Sequence, residues 1–219
     1  MKLRMFSRLV FLTCSFALAS TASYADTVTL TLDGTGGATN SAGNAYIYPY
    51  DFSITDDGVT TLAALECISY NNQIYKGESW TATTSPITTN SSFVDQEEAY
   101  LFSLYGITST YSANDIQEAA WYINDGGDNT LTRDDRNLLE SAYQAATAAD
   151  NGGASTFDDG QYILYTPEAG TQKPSRDGLP QTFVGVSPVP EPDSLLLLGT
   201  GLLSCAGLLY RRRRAIVRS

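Results

Sequence analysis

The 219-residue chain contains no histidine. Its absence excludes Ser-His and Cys-His nucleophile pairs and the usual zinc sites, and leaves only carboxylate, Lys or Tyr chemistry for an ordinary enzyme. Cysteine is nearly as scarce. Of three, Cys14 and Cys205 lie in terminal segments that read as export and membrane signals, so the domain between them keeps Cys67 alone and has no internal disulfide. Positive charge is thin in that domain as well: between Asp26 and Pro190 five Lys and Arg stand against 22 Asp and Glu, a formal charge of −17. Such a surface repels nucleic acid and anionic lipid. The acids are scattered rather than run together, as on a solvated surface. Glu97 and Glu98, adjacent on a helix, diverge and make a poor acid/base pair for glycoside hydrolysis, so the chain does not read as an enzyme.

Both ends carry apolar runs beside basic clusters. Lys2, Arg4 and Arg8 precede the apolar Leu9 to Leu18, and Ser23-Tyr24-Ala25 offers small residues for cleavage, so residues 1–25 read as a signal peptide. Residues 187–219 form a tail in three parts: a spacer ending in Pro190-Glu191-Pro192, an uncharged Leu-rich helix at 194–210, and Arg211, Arg212, Arg213 and Arg214. The helix is short for a bilayer span, which wants roughly 20 residues, and the arginines place its end on the cytoplasmic side. This order of parts resembles the PEP-CTERM sorting signal of Gram-negative bacteria. The resemblance implies anchoring in the inner membrane, recognition by an exosortase, removal of the tail, and delivery to the cell surface or its exopolysaccharide. An ordinary C-terminal membrane anchor is the plainer alternative.

Residues 26–186, roughly 160 in all, suffice for one domain with a core. Val28, Leu30 and Leu32 alternate with threonines, the pattern of a half-buried strand ending in a Gly-rich turn. Strands are expected at Ala45–Thr55, which Pro49 confines to an edge or a break, at Leu62–Tyr70, and at Gln73–Thr84, with Gly77 at a bulge or turn. Asp56-Asp57-Gly58 is a turn signal. After Pro86 the period becomes helical: Phe93–Tyr105, Ser112–Ile123 capped by Ser112 or Asn114, and Thr132–Ala149 with Asp134 and Asp135 in its first turn. Strand character returns at Gln161–Tyr165 and Gln181–Val186. The expected class is α+β: a mostly antiparallel β-sandwich or barrel-like domain with an inserted block of two or three helices, a signal helix before it and a transmembrane helix after it. Asp125 to Asn129, with Asp134 and Asp135, lacks the spacing of an EF-hand, and helix ends account for it; no metal site is assigned.

Two stretches stand out for chemistry. Leu65-Glu66-Cys67-Ile68 sets the lone cysteine in an apolar strand, and Ile116-Gln117-Glu118-Ala119-Ala120-Trp121 sets a glutamine four residues before a tryptophan. Together they resemble the thioester domains of bacterial surface adhesins, with Tyr48-Pro49-Tyr50 and Gly77-Glu78-Ser79-Trp80 similar to the pattern of PEP-CTERM proteins with this layout. Glu66 departs from it, since an aromatic residue often precedes the adhesin Cys. The resemblance implies an internal Cys67–Gln117 thioester, formed without a cofactor and walled by Tyr50, Trp80 and Trp121, that acylates an amine or hydroxyl on another surface. The other reading is a structural or carbohydrate-binding matrix protein, in which Cys67 is an inert buried hydrophobe and Gln117 lies on the wet face of its helix.

Overall fold

The computed structural model describes residues 26–107, 110–126, 131–152, 160–175 and 178–186. The signal peptide at 1–25, the tail at 187–219 with its helix, and Asp128 and Asn129 lie outside the described residues. Among the described residues no helix is long and apolar enough to cross a membrane.

Six strands form an antiparallel closed barrel in the order β1-β2-β3-β6-β5-β4. They are β1 (Thr27–Thr35), β2 (Tyr50–Asp56), β3 (Val59–Cys67), β4 (Ser79–Ile87), β5 (Tyr162–Pro167) and β6 (Phe183–Val186). Between β4 and β5 come three helices, α1 (Phe93–Ser103), α2 (Ala113–Asp125) and α3 (Arg133–Asp150). The sandwich alternative is therefore set aside. Because β1 pairs with both β2 and β4, and β6 inserts between β3 and β5, the sheet closes on itself instead of splitting into two layers.

Local chemistry explains the elements. Asp57 and Gly58 both take positive φ, 45° and 82°, the geometry of a two-residue hairpin turn between β2 and β3. Ser112 and Thr132 cap α2 and α3 in reciprocal capping boxes with Asp115 and Asp135, and Gly126 ends α2 at φ 77°. Three expected boundaries move. The second strand starts at Tyr50, because Asn40 Oδ1 accepts from the backbone N–H groups of Asn44 and Ala45 and folds the preceding residues into a turn. The third strand starts at Val59, directly after the hairpin turn, and stops at Cys67. The fourth begins after the turn at Gly77 (φ 87°) and runs through Pro86, which lies beyond the stretch of β4 paired with β1.

The core has two compartments separated by the barrel wall. Leu30, Leu32, Phe52, Leu65, Trp80, Tyr165 and Phe183 fill the interior. Ala99, Leu101, Ile116, Ala119, Ala120, Leu138 and Ala142 pack the helices together and against Ile68, Ile87, Tyr162 and Val184. Strand alternation assigns the sides where β3 meets β6: the pair Cys67 and Phe183 belongs to the interior, the pair Glu66 and Val184 to the opposite face under the helices. That junction carries the site.

Candidate functional site

Cys67 ends β3 and Gln117 sits in the second turn of α2; both are fully buried. The apolar stripe of α2 draws the helix onto the barrel, and Gln117, flanked by Ile116 and Ala119–Trp121, is carried inward with it. Its carboxamide is bonded at both ends. Nε2 donates to the Cys67 carbonyl, and Oε1 accepts the backbone N–H of Tyr48 at 3.1 Å. Gln117 thus does not occupy a wet helix face.

The Cys67 thiol donates to the Ser69 carbonyl at 3.4 Å. Burial pushes its pKa up to about 12; Ser69 and the Trp121 indole ease that rise, while the negative charges of Glu66 and Asp125 add to it. Trp121 is 1% exposed, and its ring lies 5.0 Å from that of Tyr70. Tyr50 faces the thiol from β2, its phenol held protonated by burial and by Cys67, and it donates to the Tyr46 carbonyl at 2.6 Å. Trp80 lies in the barrel interior against Phe52 and Phe183, and Phe183 is the cross-strand partner of Cys67. Cys67, Gln117, Tyr50 and Trp121 therefore converge, and Trp80 backs them from one residue further away.

Behind the barrel wall lies a cluster that sequence reasoning missed. Glu66 and Glu98 are both fully buried. Tyr105 donates to Glu66 Oε1 at 2.7 Å, Asn124 Nδ2 donates to Glu98 Oε1, and the Oε2 atoms of both acids have no hydrogen-bond partner. Burial raises the Glu66 carboxyl to about 8 and Glu98 well above the ordinary range, the latter helped by Glu66 itself. The Tyr105 ring stacks on Tyr48 at 4.0 Å and 23°, which ties the acids to the residue that holds Gln117. One signal was available: Glu66 is the single acid in the run Leu62–Tyr70. Tyr48 and Tyr105 also line an open groove of about 470 Å³ together with Leu62, Phe102 and Val186. Among the described residues no group of three or more Cys, Asp or Glu is placed to hold a metal ion.

Residues 188–214 match the PEP-CTERM protein-sorting motif. That motif implies an exported protein that exosortase processes, held first in the membrane and then at the surface. No curated protein and no solved structure shows a significant match to it.

Proposed function

We propose that Cys67 and Gln117 close an internal thioester, and that the sorted domain uses it to fix itself covalently to a surface bearing amines or hydroxyls, such as the exopolysaccharide. The observation that carries this reading is the buried Gln117 carboxamide, bonded through Nε2 to the backbone of the domain's lone cysteine. Cys67 Sγ attacks Gln117 Cδ, the C–N bond breaks, and ammonia leaves with the thiol proton. No cofactor takes part, because holding the two groups together supplies most of the drive. An acceptor amine or hydroxyl then attacks Cδ, the C–S bond breaks, and the acceptor's proton returns to sulfur. Each molecule reacts once, so the domain is an adhesin and not an enzyme. Burial suits the product: water is kept from a bond that it would hydrolyse, with Tyr50 and Trp121 as walls and Trp80 behind them.

A second reading draws on the thiol's pKa of about 12, which marks a poor nucleophile at neutral pH. In it Cys67 is inert, and the domain is a non-covalent structural or carbohydrate-binding matrix protein. Intact mass of the purified full chain separates the two. A mass lower by one ammonia than its own termini require, rising by one methylamine on treatment and absent from Cys67→Ala, supports the thioester. An unshifted mass, with a free thiol after unfolding, retires it in favour of the second reading.

A further inference from the structure

We propose that Glu66 is a positioning residue for this site: through Tyr105 it fixes Tyr48, whose backbone N–H then holds the Gln117 carbonyl and stabilises the oxyanion formed on it. The inference rests on the thioester reading.

Three contacts run from Glu66 to Gln117. Glu66 accepts the Tyr105 hydroxyl at 2.7 Å, Tyr105 stacks on Tyr48 at 4.0 Å, and the Tyr48 N–H reaches Gln117 Oε1 at 3.1 Å. The Tyr48 ring also meets Phe102 edge-on at 5.8 Å, so two aromatic contacts set its place. When Sγ adds to Cδ, the carbonyl π electrons move onto Oε1, and a donor already in place stabilises the charge that develops there. The same donor serves when an acceptor amine adds to the thioester: the charge appears on Oε1, the C–S bond breaks as the charge collapses back, and the amine proton goes to sulfur. The Tyr48 N–H touches a reacting atom, whereas Glu66 acts only through Tyr105 and Tyr48.

This role also gives a physical reason for the departure at position 66. A fully buried acid with one oxygen lacking a partner is a cost to folding, and such a group in a native fold calls for an explanation. Here the other oxygen anchors the hydroxyl of the ring that stacks on Tyr48. Burial keeps Glu66 mostly neutral around pH 7, so it acts as a hydrogen-bond acceptor and not as a charge. The ionisable groups around it are Tyr105, Glu98, Tyr48 and Cys67.

The test compares the full chain with Glu66→Ala, Glu66→Gln and Tyr105→Phe. For each, the fraction lacking one ammonia, the rate of methylamine uptake and the denaturation midpoint are measured. Removing an oxyanion donor outright costs roughly a hundredfold or more, so displacing one should slow uptake about tenfold in Glu66→Ala and Tyr105→Phe. Glu66→Gln keeps the acceptor oxygen and should restore the parent rate, a rescue that stability alone does not predict. Unchanged uptake in Glu66→Ala and Tyr105→Phe overturns the proposal, as does a Glu66→Gln as slow as Glu66→Ala, which would assign the effect to charge. Both outcomes leave the thioester standing. A parent chain that shows no ammonia loss overturns the thioester reading and this inference with it. If Glu66→Ala does not fold, Tyr105→Phe, which removes a single hydroxyl, decides.

Discussion

Replacing Glu66 by Gln should flatten the fall of folding stability between mildly acidic and mildly alkaline pH. The carboxyl is fully buried, and desolvation raises its pKa from 4.5 to about 8. The folded state therefore binds more protons than the unfolded chain between those values, and stability falls as pH rises. Below the unfolded pKa both states are protonated and the contribution is complete; it is lost as pH climbs through the folded value. At about 1.4 kcal/mol for each pH unit, the interval from 4.5 to about 8 corresponds to about 5 kcal/mol at most. Glu98, itself raised by burial and by Glu66, shares the strain, so a loss of about 2 to 3 kcal/mol is the working expectation. That is a large part of the 5 to 15 kcal/mol typical of a domain. Gln carries no titrating proton and keeps the oxygen that accepts from Tyr105. Urea unfolding followed by the fluorescence of the two buried tryptophans, Trp80 and Trp121, would give stability from about pH 5 to about pH 8.5. The parent should lose stability across that range and Glu66→Gln much less, the remaining slope coming from Glu98. Parallel curves for the two proteins would refute the reasoning.

Gly185→Ala should destabilise by about 1 to 3 kcal/mol in the same assay, because a Cβ there would stand 2.3 Å from Leu65 Cδ2. Adding Leu65→Val should recover part of that loss, and full additivity of the two changes would argue against the clash. Asn40→Ala removes the acceptor for the N–H groups of Asn44 and Ala45, and should cost about 1 to 3 kcal/mol and open this loop to proteolysis; unchanged cleavage would discount the Asn40 contacts. Substituting Pro190, Glu191 and Pro192 by Ala should leave residues 187–219 attached in the native host, read by mass of the cell-envelope fraction, and parent-like processing would count against the sorting motif as the signal.

What could be read from the sequence was mostly local. The Asp57-Gly58 turn, the helix caps at Ser112 and Thr132 and the helical periods all lie within a few residues of their causes, and each appears in the fold. Barrel closure depends on a strand of four residues, Phe183–Val186, slipping between β3 and β5, and neither alternation nor turn chemistry specifies such a distant neighbour. Pro86 looked like the end of strand character because its missing N–H matters only where a ladder bond is required. The pairing of Gln117 with Cys67 is an expectation carried by the resemblance to thioester domains, and no local pattern links the two across 50 residues of chain. The pairing within the acid cluster had no local signal either, because the hydrogen bond to Glu66 Oε1 comes from Tyr105, 39 residues away. A buried acid of this kind shows in sequence only as a charge out of place.

β6 ends at Val186 and the sorting motif begins at residue 188, so a single residue separates the barrel from its tether. A pull along the axis of β6 would load its bonds to β3 and β5 together in shear instead of opening them one by one. For a domain held at Gln117 on its other side, the shortest mechanical route runs from α2 to the Cys67 carbonyl and across a single strand pair to Phe183. Strands β1, β2 and β4 lie off that line. In a domain held that way, they would form an unloaded frame that keeps the two load-bearing strands in register.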